Sequence, residues 1–283
     1  VSTKPSVPAG DLVNGVLGSP RLHLRRTDST NERARALALA GAPHGTLVTA
    51  TEQTAGRGRQ GRAWLAPAGS SLLCSLVLRD APALLSLASG VAVCDTIGEH
   101  ARVKWPNDVV VGPGLAKLGG ILIEGRPQEH WAVLGIGINV AVQVDRLPAD
   151  VREHAASLEL PASAVEPLLR DLLTALARRL AEPAQTLLDA WRARDALRGR
   201  EISWGAHSPT RPSEPYARPG HGRPGPSDRA PAPVGRGRAE GIDGDGRLLV
   251  RLHDGTMVAL SAGEVHLGLP RQAPHNHSGP LLG

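Results

Sequence analysis

The strongest constraint in this chain is a trio of strand-length apolar runs at 71–78 (SLLCSLVL), 118–124 (LGGILIE) and 131–140 (WAVLGIGINV). Runs so poor in polar side chains belong where both faces of a sheet are covered. TLVTAT at 46–51 adds a β-branched strand, and short strands at 103–105 and 109–111 flank a Pro-Asn-Asp turn. Ser29-Thr30-Asn31-Glu32 has the S-x-x-E form of a capping box, opening an Ala/Leu/Arg helix that Gly41 and Pro43 should end. A second helix is predicted over 83–100. Leu168, Leu169, Leu172, Leu173, Leu176 and Leu180 fall at helical spacing, as do Leu187, Leu188 and Trp191. Strands and helices mix without strict βαβ alternation, so the expected fold class is α+β around a mixed sheet.

From Gly199 the pattern changes. Short strand candidates at 200–204, 235–242, 246–252, 257–260 and 264–267 are separated by Gly/Asp turns and predict a small β-barrel. Residues 206–234 contain eight prolines and few large apolar side chains, too little to offset the entropy of ordering them. The expected organisation is therefore a flexible segment 1–21, a main domain 22–197, a β domain 198–269 interrupted by the insertion 206–234, and a flexible tail 270–283.

A net charge of +5 and a pI near 10.0 invite a polyanion partner. Yet among 32 basic residues only Lys4, Lys104 and Lys117 are lysines, and Phe is absent, which marks a compositional bias toward arginine. Single-strand binding modules interleave stacking aromatics with their cations, whereas aromatics here are 2%. Against the arginine background, Lys104 and Lys117 stand out as places needing a compact ammonium. No apolar run approaches the roughly 18 residues of a membrane span. The first twenty residues lack a basic-then-apolar leader, so a cytoplasmic location is expected. Cys74 and Cys94 lack metal-ligand spacing and read as reduced, buried thiols.

Several segments carry chemistry. Gly56-Arg57-Gly58-Arg59-Gln60-Gly61-Arg62-Ala63-Trp64 lies between two strands, where glycines admit an anion to the backbone and arginines offer forked donors to phosphate. Trp64 offers a flat face to a base, or simply fills core. A second Gly-Arg-Gly-Arg at 235–238 borders the low-complexity insertion and reads as solvated linker. Lys104-Trp105-Pro106-Asn107-Asp108 gathers a cation, an amide and a carboxylate on one turn. Lys117 opens a strand whose Gly119 and Gly120 leave room for a ligand, unless they mark a bulge or close packing. Gly135-Ile136-Gly137-Ile138-Asn139 repeats that arrangement and ends in an amide. It is not a G-x-G-x-x-G fingerprint and no helix follows, which argues against a dinucleotide fold.

The order of these segments, from Ser29-Thr30-Asn31 through Gln53 and the Gly-Arg loop to Lys104–Asp108, Lys117–Leu122 and Gly137-Ile138-Asn139, closely resembles the biotin protein ligase family. The resemblance covers roughly residues 22–140 and extends more weakly to an SH3-like C-terminal barrel. It implies a class II aminoacyl-tRNA-synthetase-like catalytic domain that joins biotin to ATP as an adenylate, with Mg²⁺, and transfers biotin to a lysine of a biotin carboxyl carrier protein of a carboxylase. By resemblance, Ser29, Thr30, Asn31 and Gln53 line the pocket for the ureido ring, closed by the strand near Gly120. Arg57, Gly58 and Arg59 form a loop over biotin and the phosphates. Arg62 joins the phosphate set, and Trp64 stacks on adenine. Lys117 is the catalytic lysine, seconded by Arg59. Asn107 and Asn139 assist the phosphates and magnesium, with Lys104 and Asp108 beside them and Asp108 the candidate base for transfer.

Three features depart from the family's pattern. No winged-helix domain fits before Leu22, so no specific DNA binding is expected. The lysine motif reads Leu-Gly-Gly where Leu-Ala-Gly is commoner, and the insertion interrupts the barrel after its first strand. No membrane partner is implied, and a homodimer is compatible with the resemblance. The rivals are a lipoate or octanoate ligase on the related fold and, from another class, a basic nucleic-acid-binding protein.

Overall fold

The apolar runs form the centre of a seven-stranded mixed sheet in a computed structural model that describes residues 16–126, 129–205, 235–261 and 265–267. The large sheet takes β1 (Arg21–Thr27), β2 (Leu47–Gln53), β3 (Ser71–Arg79), β4 (Arg102–Lys104), β5 (Asp108–Val111), β6 (Ala116–Arg126) and β7 (Trp131–Asn139). Their spatial order is β1-β2-β3-β7-β6-β5-β4, with β1 and β2 parallel and every other neighbour antiparallel. The first eight residues of β3 are all buried. That follows from cover on both faces. Helix α1 (Thr30–Leu39) lays Ala34 and Ala38 on Val48, Val77 and Val133. Across the sheet, α2 (Leu85–Ile97), α4 (Val165–Ala181) and α5 (Ala184–Ala193) close the larger core. A one-turn α3 (Ala149–Arg152) precedes α4. Leu168, Leu169, Leu172 and Leu176 are the buried stripe of α4, as their spacing predicts. Pro183 forces Glu182 into extended backbone, ending α4, and then opens α5.

Three expectations are corrected. The chain is already packed before position 21: Gly18 N–H donates to Gly45 O, and Pro20 O accepts from Leu47 N–H. Strand β1 shows no strand-like pattern in the sequence, because Arg21, His23, Arg25 and Arg26 put polar side chains along an exposed edge strand. The capping box marks where α1 starts but does not form. Ser29 makes no side-chain cap, and Glu32 is held by Arg35 and Arg57 instead of the helix start.

The C-terminal strands, β8 (Glu201–Trp204), β9 (Gly235–Ile242), β10 (Leu248–Arg251), β11 (Met257–Leu260) and β12 (Val265–Leu267), form an antiparallel sheet in the order β11-β10-β9-β8-β12. The second Gly-Arg-Gly-Arg is therefore no linker. It opens β9, where a side chain on Gly235 would strike the Trp204 ring and one on Gly237 the Arg251 carbonyl. The insertion 206–234 and the tail 270–283 lie outside the described residues. This sheet is fastened to the large one beside the Lys104–Asp108 turn. Trp105 Nε1 donates to Gly246 O at 3.1 Å, and Val103 exchanges backbone bonds with Arg194 and Ala196 in the segment that leads from α5 to β8.

Candidate active site

One cleft gathers most of the chemistry-bearing segments. It encloses about 980 Å³ of empty space, a figure that includes its open mouth. Ser29, Thr30 and Asn31 reach it from the start of α1, and Gln53 from the end of β2. Arg57, Gly58, Arg59, Arg62 and Trp64 come from the loop before β3, Asn107 and Asp108 from the β4–β5 turn, and Lys117 and Gly120 from β6. Val265 of β12 completes the wall.

Asn139 is the exception and a correction. Its Nδ2 donates to Ala156 O at 2.9 Å and its Oδ1 lies 3.5 Å from the Ser71 hydroxyl, so the amide is spent fastening the segment after α3. It is buried and does not line the cleft.

The Gly-Arg loop is a small hairpin. Gly58 N–H donates to Arg62 O at 2.7 Å and Trp64 N–H to Gly56 O at 2.9 Å, with Gln60 and Gly61 at positive φ in its tip. Gly56 is obligatory, since a Cβ would stand 2.6 Å from the Trp64 carbonyl. The hairpin leans on its surroundings through Arg57 to Glu32 at 3.1 Å and Arg59 to Asn107 Oδ1 at 3.1 Å. Asn107 is itself fixed by donating to Ile121 O at 2.8 Å.

At the floor, the strand glycines make room for a side chain of the chain itself, the close-packing alternative: the occupant is Trp64. A Cβ on Gly137 would lie 2.7 Å from the indole, and one on Gly120 3.2 Å from it and 3.3 Å from Lys117 Cε. The indole Nε1 is buried without a hydrogen-bond partner. Lys117 Nζ sits 5.8 Å from the Trp64 ring centroid, within range of the ring's negative face, and 2.6 Å from Asp108 Oδ1. A β-bulge at Leu118 sets this up. Val109 pairs with Gly119 but Val110 with Lys117, so Leu118 is the extra residue, and the Lys117 side chain comes to run over Gly120. The lysine's backbone is pinned by bonds to His154 O and from Ala156 N–H.

At the α1 side the cleft is lined by neutral polar groups. Gln53 Oε1 accepts from Thr30 N–H at 2.7 Å and lies 3.0 Å from Thr30 Oγ1. Ser75, a polar residue within the apolar run of β3, is fully buried beneath them. Its hydroxyl lies 2.8 Å from Thr30 Oγ1 and 2.6 Å from Asn31 Oδ1. Its signal in the sequence was a lone hydroxyl inside SLLCSLVL. Cys74 lines the cleft as a neutral thiol, because burial pushes its pKa up to about 12; Cys94, buried in α2, is raised alike. No cluster of three His, Cys, Asp or Glu able to hold a metal occurs among the described residues, and none of their helices is long and apolar enough to cross a membrane.

Comparison with known proteins identifies the family and the fold. The biotin/lipoate A/B protein ligase family model matches residues 23–140, and the biotin protein ligase C-terminal domain model matches 231–268. The biotin--[acetyl-CoA-carboxylase] ligase of Mycobacterium tuberculosis is 33% identical over 259 residues, 86% of this chain and 87% of that protein. The bifunctional ligase/repressor BirA of Bacillus spizizenii is 39% identical over 155 residues, and the match spans about half of it, 47%. A biotin protein ligase from Aquifex aeolicus, solved in complex with biotin and ATP, superposes over 88% of this chain and 100% of its own with a TM-score of 0.68 at 22% identity, which establishes a shared fold.

Proposed function

This chain belongs to the biotin protein ligase family, and from that premise we propose that it makes biotinyl-5′-AMP and pyrophosphate from biotin and ATP, then passes the biotinyl group to a carrier lysine. The observation that carries the proposal is that one cleft presents a hydroxyl-and-amide set (Ser29, Thr30, Gln53) and a cation set (Lys117, Arg57, Arg59, Arg62) to a common space. A ureido ring matches the first and a triphosphate the second.

In the first step a biotin carboxylate oxygen attacks the α-phosphorus and pyrophosphate leaves. Two anions must meet, so positive charge has to be in place beforehand. Lys117, fixed by the bulge and by Asp108, supplies it at one point, and Arg59 brings a second cation from the hairpin. Incoming anions compete with Asp108 for the lysine, which hands the ammonium to the substrates without moving the backbone. Trp64 is the aromatic face for adenine. It has to leave its bed on Gly120 and Gly137 or receive the base on its outer side. Magnesium would arrive with the nucleotide, where it neutralises phosphate charge; the Asn107 amide oxygen and the Asp108 carboxylate are the oxygen donors suited to it, a sparse set that leaves the remaining positions to phosphates and water. The mixed anhydride is open to hydrolysis, and the hairpin is the segment placed to cover it. In the second step the carrier lysine attacks the biotinyl carbonyl and AMP departs, with Asp108 the carboxylate positioned to take the proton. The acceptor in this reading is a biotin carboxyl carrier domain of an acyl-CoA carboxylase, and a cytoplasmic location goes with that proposal.

Incubation with ATP, Mg²⁺, biotin and such a carrier domain tests the proposal. One biotin per carrier and released pyrophosphate are expected; incorporation of lipoate in its place would overturn it.

A further inference from the structure

We propose that Glu124 is a positioning residue that sets the direction of hydrogen bonding in the biotin pocket through a relay of buried side chains. The relay runs Glu124–Asn31–Ser75–Thr30–Gln53. Asn31 Nδ2 donates to Glu124 Oε2 at 2.8 Å, and the Ser75 hydroxyl lies 2.6 Å from Asn31 Oδ1 and 2.8 Å from Thr30 Oγ1. Thr30 meets Gln53 Oε1 at 3.0 Å. Asn31, Ser75 and Thr30 are all nearly inaccessible to water, so their partners are protein groups. Glu124 is the half-buried outer end of this chain and Gln53 its cleft end.

Proton counting gives the relay its direction. A carboxylate only accepts, so Glu124 determines which end of the Asn31 amide faces it, and Oδ1 is thereby turned to Ser75. The Ser75 hydroxyl has one proton and two acceptors within reach. With Asn31 Oδ1 taking it, the Ser75 oxygen is left as an acceptor beside Thr30. Thr30 then gives its single hydroxyl proton to Ser75 instead of to Gln53 Oε1, which keeps only the Thr30 N–H as donor, so protons run outward toward Glu124 and one Gln53 oxygen lone pair stays open at the cleft end. That polarity suits the ring N–H groups of a cyclic urea and is wrong for a ring-free fatty acid. The fold makes specific room for the device: a Cβ on Gly135 of β7 would occupy the place of the Asn31 amide. Without the carboxylate, Asn31 Nδ2 keeps only a 3.4 Å contact to Leu122 O, and the amide is free to turn over.

The inference rests on the biotin ligase reading, and steady-state kinetics with Glu124→Ala and Glu124→Gln separates the two. Glu124→Ala should raise the KM for biotin about tenfold, the order expected for losing one charge-assisted hydrogen bond that holds an orientation. The KM for ATP and kcat should stay within about twofold. Glu124→Gln, whose side-chain oxygen still accepts from Asn31, should return the biotin KM to within about threefold of wild type. A purely structural role would lower kcat or the melting temperature and leave the biotin KM alone, and that result overturns the proposal. So does Glu124→Gln behaving like Glu124→Ala. Should Glu124→Ala fail to fold, Ser75→Ala cuts the same relay, and an unchanged biotin KM there is equally fatal. A wild-type chain that neither binds nor adenylates biotin overturns the parent reading, and this proposal with it.

Discussion

Lys117 Nζ stands 2.6 Å from Asp108 Oδ1 across the β5–β6 pair, on the far side of a bulge that makes Leu118 the unpaired residue. An exposed lysine at the start of a regular strand would sweep a wide cone. Here the bulge, the glycine beneath it and the carboxylate opposite hold the ammonium over the cleft floor, and the chemistry assigned to the site depends on that placement.

Replacing Lys117 with Ala should reduce pyrophosphate release from biotin and ATP by roughly 100-fold or more, the scale seen when one preorganised electrostatic partner is removed. The side chain is 40% exposed, so the melting temperature should barely change. Asp108→Asn keeps the ammonium and loses its counter-ion, and a smaller loss, within about tenfold, is expected. Wild-type turnover in the Lys117 variant would refute its role.

Gly137→Ala drives a methyl group toward an indole carbon at 2.7 Å. Overpacking of this kind costs about 1–3 kcal/mol. Because Trp64 rests on the cleft floor between its own hairpin and Lys117, the strain should appear as weaker ATP and biotin binding, about tenfold in KM. Titration of both substrates against the variant checks this, and unchanged KM values would mean the indole does not need its present bed.

Both thiols are pushed up to about 12 by burial from a reference of 9.0. Native protein at pH 8 should therefore resist alkylation at Cys74 and Cys94, although Cys74 borders the cleft, and should react only when unfolded. Linkage has a definite sign. Between about pH 9 and 12 the unfolded chain loses thiol protons that the folded one keeps, so stability falls as pH rises through that window. Mass spectrometry of labelled protein and urea titrations at pH 8 and 10 would show it.

Trp204 and Gly235 are directly paired across β8 and β9, so the chain leaves and re-enters the small sheet at one point. Excising residues 206–234 and closing the gap with a short Gly-containing turn should leave adenylation within about twofold, since hairpin loops of two to five residues join such strands. A large loss, measured as pyrophosphate release, would show that the insertion touches the cleft or the carrier.

Much of this was legible because the informative residues sit at strand ends. Gln53 closes β2, Lys117 lies near the start of β6 and Thr30 opens α1 just after β1, so the sheet order brings these three toward one end. What the sequence concealed has physical reasons. Strand β1 carries arginines because its outer edge faces solvent, so neither alternation nor apolar content betrays it. Asn139 matches a motif, but its amide is consumed by Ala156, a partner 17 residues on that no local pattern reveals. Ser75 and Glu124 belong to a relay whose members are 44 and 93 residues from Asn31, and pairings of that range emerge only when strands are in register.

Trp105 reaches out of the cleft turn to Gly246, and Val265 reaches back from the last strand into the cleft wall. The two regions are thus not a catalyst with a detachable appendage. A chain cut after α5 would lose one side of the substrate chamber and bare the Trp105 indole to water. Attempts to minimise this enzyme should shorten the interrupting loop and leave the terminal β-sheet whole.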